Sequence, residues 1–275
     1  MPRLDHLALL LVAAVCSLAD AGAAEPALPV RSTQYGAERL DFPIGDRRAF
    51  LILPTAPAAD GAKPWIWFAP TFIGSIPDPS HTWMFQQFLA RGFAIGGIDV
   101  GEAYGNPQAR ESYTNYYRFV LATYGLAPKV RLLPQSRGGL LLYNWAAEHA
   151  DEVQCIGGIY PVGDLASYPG LAIAGKAYGF SDEDWKTRLA ENNPIDRLAP
   201  LAKAKVPILH LHGDVDTVVP LARNSGELIR RYRALGGPGD LIVVPGKGHQ
   251  VCDDFFHSQR LVDFLLASGV PQPAR

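Results

Sequence analysis

Runs of like charge are missing from this sequence. Its 275 residues carry 25 Lys and Arg against 27 Asp and Glu, a formal charge of −2, and the basic residues are scattered. Neither nucleic acid nor an anionic membrane surface therefore has electrostatic support as a partner. Internal repeats and low-complexity tracts are also missing, which excludes a repeat array. His210 and His212 share one strand face at metal-like spacing, but no third ligand with suitable spacing accompanies them, so they are expected to be strand and turn residues with no metal. No cofactor is expected. The longest apolar stretch, Leu7 to Ala19, falls short of the roughly 20 residues that span a bilayer.

That stretch has a different use. Arg3 precedes it, and Ala21-Gly22-Ala23-Ala24 follows it before Glu25-Pro26. This is the pattern of a signal peptide over residues 1–24, cut after Ala23 or Ala24. The mature chain, 25–275, is then expected to be one secreted or periplasmic domain with no stable membrane insertion after cleavage. A lipid anchor on Cys16 would want a leucine three residues earlier and a small residue just before it, where Ala13 and Val15 stand. Cysteine is scarce, and two remain after cleavage, Cys155 and Cys252. They are placed at opposite ends of the strands, well beyond the roughly 7 Å Cα separation that a disulfide tolerates, so both are expected to be buried free thiols.

What the sequence does contain is a serine in a particular setting. In Val130-Arg131-Leu132-Leu133-Pro134-Gln135-Ser136-Arg137-Gly138-Gly139-Leu140, Ser136 stands between a short apolar strand and a glycine pair that opens an apolar helix. A serine on such a turn projects its hydroxyl from the sheet, over backbone N–H groups of the helix start. It needs a base and an acid from later loops. The strand Val206 to Leu211 runs into His212-Gly213-Asp214-Val215-Asp216, and the strand Asp240 to Pro245 runs into Gly246-Lys247-Gly248-His249. His249 is the expected base and Asp216 the expected acid, with Asp214 as the competing acid or a turn former. The order Ser136, Asp216, His249 separates this arrangement from those of chymotrypsin and subtilisin.

On the His212-Gly213-x-x-Asp216-x-x-Val219-Pro220 pattern and the Gly248-His249 pair, the stretch from about Ala49 to Leu266 resembles an α/β-hydrolase. It is most similar to dienelactone-hydrolase and prolyl-oligopeptidase-like serine esterases. The elbow departs from the usual Gly-x-Ser-x-Gly: Pro134 replaces the first glycine, and a proline there is expected to end the strand ladder. The resemblance implies one α/β domain, a mostly parallel central sheet flanked by helices, with a small lid at about 161–204. It also implies an oxyanion hole formed by the backbone N–H of Arg137 and that of Thr71, with Phe72 as the neighbouring alternative. The Ser136-Arg137 pair is locally similar to glucuronoyl esterases, implying a substrate contact for the Arg137 side chain.

The expected function is an exported serine hydrolase that cleaves carboxylic esters, small or polymeric, through an acyl-enzyme, with esterified carbohydrate preferred. A prolyl-oligopeptidase-like peptidase or amidase is the alternative, set second because such enzymes usually carry a propeller domain. A non-catalytic binding protein on the same fold comes third. Among the aromatics of residues 160–185, packing of the lid onto the body is the leading expectation.

Overall fold

The structure, a computed structural model, describes residues 28–58 and 61–267. The expected leader lies outside them. Nine strands form: β1 Val30–Gln34, β2 Ala37–Ile44, β3 Arg47–Ile52, β4 Trp65–Ala69, β5 Ala94–Ile98, β6 Val130–Pro134, β7 Val153–Ile159, β8 Ile208–Gly213 and β9 Gly239–Val244. They make one sheet in the order β1-β2-β3-β5-β4-β6-β7-β8-β9. The first three pair antiparallel and β3 joins β5 antiparallel, while every neighbouring pair from β5 to β9 is parallel.

The helices are α1 Thr82–Ala90, α2 Pro107–Tyr124, α3 Gly138–Glu148, α4 Leu171–Tyr178, α5 Asp182–Asn192, α6 Ala199–Lys203, α7 Ser225–Ala234, α8 Asp253–Phe256 and α9 Gln259–Leu266. They cover both faces of the sheet, which is why its central strands are apolar throughout rather than alternating. In β4 every residue is buried. Trp65 and Trp67 point into the layer shared with α2 and α3, while Ile66 and Phe68 point into the layer with α1 and α9.

Three local features follow from turn and cap residues. Strand β1 has one apolar residue at its start and is otherwise polar, so it shows no alternation. It forms because Tyr35 (φ 55) and Gly36 (φ 79) make a two-residue hairpin turn to β2. Helix α2 starts at Pro107, because Asn106 caps it by accepting from Ala109 N at 2.8 Å and Pro107 suits its first turn. The last helical segment is divided into α8 and α9, since Ser258 adopts an extended conformation and caps α9.

Between β7 and β8 the chain carries α4, α5 and α6. Helix α5 opens on a capping box, Ser181 with Asp184. Tyr178, Phe180 and Trp185 pack on one another with ring centroids 5.0 to 5.4 Å apart, and Tyr178 donates to Tyr104 O at 2.9 Å. Tyr178 thereby ties the segment to the body, and Tyr178 and Trp185 share a buried cluster with Leu140 and Val219. Cys155 is buried, and burial pushes its thiol up to about 12. Cys252 is half-buried rather than buried, and both thiols are free. Among the described residues, no helix is long and apolar enough to cross a membrane.

Candidate active site

The chain leaves β4 toward β5 on one side and returns to β6 on the other, so β4 and β6 flank the point where the strand order reverses. In parallel sheets ligands bind at the carboxyl ends of the strands beside such a point. Thr71 follows β4 there, and Ser136 follows β6.

Pro134 pairs with Ala69 as the last residue of β6. The ladder outlasts it by two contacts: Gln135 N donates to Ala69 O at 2.8 Å and Ser136 N to Ile159 O at 3.0 Å. Ser136 then turns into the left-handed region, φ 50, a conformation that costs a non-glycine residue energy and is found at functional turns. The following glycines explain why the elbow works without the first glycine of its usual pattern. A Cβ on Gly138 would lie 2.0 Å from Ala69 O, and one on Gly139 would lie 2.2 Å from Val162 O. Close approach is required after the serine, where both glycines are kept.

The sheet brings the three expected residues together. Ser136 Oγ lies 2.8 Å from His249 Nε2, and His249 Nδ1 lies 2.8 Å from Asp216 Oδ2. Nδ1–H therefore donates to the carboxylate, leaving Nε2 to accept the serine proton. Asp216 is buried and takes further donors, Val218 N at 3.0 Å and Val219 N at 2.8 Å on Oδ1, with His212 Nε2 3.4 Å from Oδ2. Asp214 is elsewhere, its Oδ1 accepting from Gly246 N at 2.7 Å. It shapes the turn and does not reach His249.

The oxyanion candidates separate as well. Phe72 N–H donates to Ile76 O at 2.6 Å, which removes Phe72 as a donor. Among the described residues, the backbone N–H groups of Thr71 and Arg137 are taken by no other group. Thr71 is fixed by its hydroxyl, which donates to Ile98 O at 2.6 Å. The Arg137 side chain is ion-paired with Glu102 and lies 5.6 Å from the centre of the Tyr168 ring. A guanidinium already paired and stacked gives no support to the expected uronate contact.

Sequence reasoning missed three neighbours of the site. Tyr160, φ 35, places its ring centroid 4.4 Å from that of His249. Gln135, beside the serine, accepts from His81 at 2.8 Å, and the other ring nitrogen of His81 faces Asp78. The residue following each strand end was the only available signal, and aromatic content alone did not separate Tyr160 from the packing aromatics. His210 and His212, expected as simple strand and turn residues, are wholly buried polar groups.

A mostly parallel sheet with a serine elbow after one central strand and an acid and a base after later ones defines an α/β-hydrolase of the serine type. The chain belongs to the prolyl oligopeptidase family, whose family model matches residues 129–267. Among solved structures, a puromycin-hydrolysing peptidase of Mycobacterium tuberculosis is similar at 17% identity and a TM-score of 0.65, over 86% of this chain and 40% of that one. A dipeptidyl aminopeptidase IV-like protein of Bacteroides ovatus gives 14% and 0.66, over 88% of this chain and 36% of that one. A puromycin hydrolase variant complexed with PGG gives 16% and 0.62, over 87% and 40%. This chain thus spans well under half the length of each. A comparison with curated proteins gives no match.

The family match overturns the expectation of an ester hydrolase and favours the peptidase alternative. The propeller argument against that alternative has no force, because the match falls on the hydrolase segment itself. The same three side chains serve esters and amides, so the triad in the sequence could not separate the two.

Proposed function

We propose that this serine hydrolase cleaves peptide or related amide bonds through an acyl-enzyme on Ser136. The hydrogen-bonded line from Ser136 through His249 to Asp216 carries the mechanism, and membership of the prolyl oligopeptidase family supports the bond type. The names of the solved neighbours, two puromycin hydrolases and a dipeptidyl aminopeptidase, point the same way.

His249 takes the serine proton as Oγ attacks the carbonyl, and Asp216 holds the imidazole in the required tautomer and stabilises its cation. The developing oxyanion accepts from the Thr71 and Arg137 N–H groups. His249 then returns the proton to the leaving amine, and water releases the acyl group by the same steps. Export of the mature chain is proposed from the apolar leader alone, and N-terminal sequencing of the processed protein checks it.

The test is a panel of short peptide anilides against p-nitrophenyl esters. Turnover of anilides that disappears in Ser136→Ala is expected. Ester hydrolysis with no anilide turnover by the parent protein would sink the amide assignment.

A further inference from the structure

Behind Asp216 lies a row of buried polar side chains that the Ser136, His249 and Asp216 chemistry does not use. Tyr143 on α3 places its hydroxyl 2.6 Å from His210 Nε2. His210 Nδ1 is 2.9 Å from Ser225 Oγ, and Ser225 Oγ is 2.8 Å from His212 Nδ1. His212 Nε2 is 2.7 Å from Val219 O and 3.4 Å from Asp216 Oδ2. Both imidazoles and Ser225 are fully buried. The fold makes room for them, since a Cβ on Gly158, the residue of β7 paired with His210, would lie 2.9 Å from the His210 ring.

The partners fix every proton in this row. Val219 O and the Asp216 carboxylate only accept, so His212 Nε2 carries hydrogen. Burial lowers the basicity of both histidines, that of His210 down to about 3, so each ring is neutral and His212 Nδ1 must accept. Ser225 is its donor, which makes Ser225 Oγ the acceptor for His210 Nδ1–H, and His210 Nε2 the acceptor for the Tyr143 hydroxyl. The donors run one way to His212, whose Nε2–H donates to Val219 O at 2.7 Å, and Val219 N in turn donates to Asp216 Oδ1 at 2.8 Å; aligned hydrogen bonds of this kind polarise one another in a low-dielectric interior.

We propose that Tyr143, His210, Ser225 and His212 form a one-way hydrogen-bond chain that positions Asp216 for His249. The chain starts on α3, the helix whose first turn follows Ser136, and ends at Val219, whose N–H holds the acid. It therefore locks the acid to the element that carries the nucleophile. No proton moves along it, and its members are positioning residues. The proposal rests on the catalytic assignment of Ser136, His249 and Asp216.

Two measurements test it. Nitrogen-15 NMR of the folded protein should report His210 as the Nδ1–H tautomer and His212 as the Nε2–H tautomer from neutral to mildly acidic pH. The opposite tautomer in either ring overturns the chain. The second measurement is the rate of fluorophosphonate labelling of Ser136, which needs no knowledge of the substrate. Ser225→Ala removes the central link while preserving volume, and labelling is expected to slow on the order of tenfold, as for a small misplacement at a reacting centre. Ser225→Thr, which keeps the hydroxyl, should restore it. A folded Ser225→Ala protein labelled at the parent rate overturns the positioning role. Should that variant fail to fold, Tyr143→Phe removes the first donor without changing shape and is read the same way. Absence of labelling in the parent protein would instead strike the catalytic assignment, while the tautomers would still report on the chain.

Discussion

Ser136 is held by backbone and by close packing: a left-handed residue followed by two glycines whose neighbours leave no room for a side chain. Asp216, at the other end of the same line, has no positive φ and is held by donors, two from the backbone and one from the His249 ring, with the His212 ring packed 3.4 Å away. The serine must stay partly open to substrate, so it cannot be surrounded by partners, and geometry is imposed through the main chain. The acid must remain charged while buried, which is tolerable only when its lone pairs are filled. One line of side chains is thus positioned by main-chain geometry at its wet end and by polar saturation at its dry end.

This contrast can be broken at several points. The largest effect is expected for Ser136→Ala, a loss of about a millionfold in turnover, since the three residues act as a unit; residual activity near the parent rate would remove Ser136 from the chemistry. Asp216→Asn should lower turnover by about ten-thousandfold through the wrong imidazole tautomer, while Asp214→Asn should leave it nearly unchanged. The reverse ranking would move the acid. At the serine end, Gly138→Ala forces a Cβ against Ala69 O and should lower stability by about 1–3 kcal/mol, visible as a fall in the thermal midpoint.

The dry end makes its own prediction about pH. His210 has its folded value pushed from 6.5 down to about 3 by burial, and His212 moves in the same direction. Below pH 6.5 the unfolded chain binds protons that the folded chain excludes. The stability is therefore fully present above that pH and is lost as pH falls toward 3, at up to about 1.4 kcal/mol per pH unit for His210. A urea midpoint that drops between pH 7.5 and 5.5, above the range where ordinary carboxylates titrate, is expected. An unchanged midpoint would mean that the two rings accept protons in place. The smallest effect is reserved for Arg137→Ala. It removes an exposed ion pair worth about 0.2–1 kcal/mol but keeps the backbone N–H, so Ser136 labelling should change less than about threefold; a large loss would show that the side chain touches substrate after all.

Much of this was legible in the residues. The family resemblance implied the mostly parallel sheet, and Ser136, Asp216 and His249 stood each after a strand, so their meeting followed from topology. Strand β1 was not legible, because a solvent-exposed edge strand shows little apolar pattern. His210 and His212 looked like an incomplete metal site. Their role depends on Tyr143 and Ser225, far off in sequence, and only packing shows that these four fill one another's hydrogen-bonding needs. The proposed preference for amide over ester was not legible either, since it concerns the leaving group and not the nucleophile.

The 113 residues separating Ser136 from His249 also set a clock. At about 5–20 residues per second during synthesis, the base is made on the order of ten seconds after the serine, and the last parallel strand, β9, must dock on β8 before the two can meet. Until then the nascent chain carries an ordinary alcohol. Reactivity arrives only with the completion of the sheet.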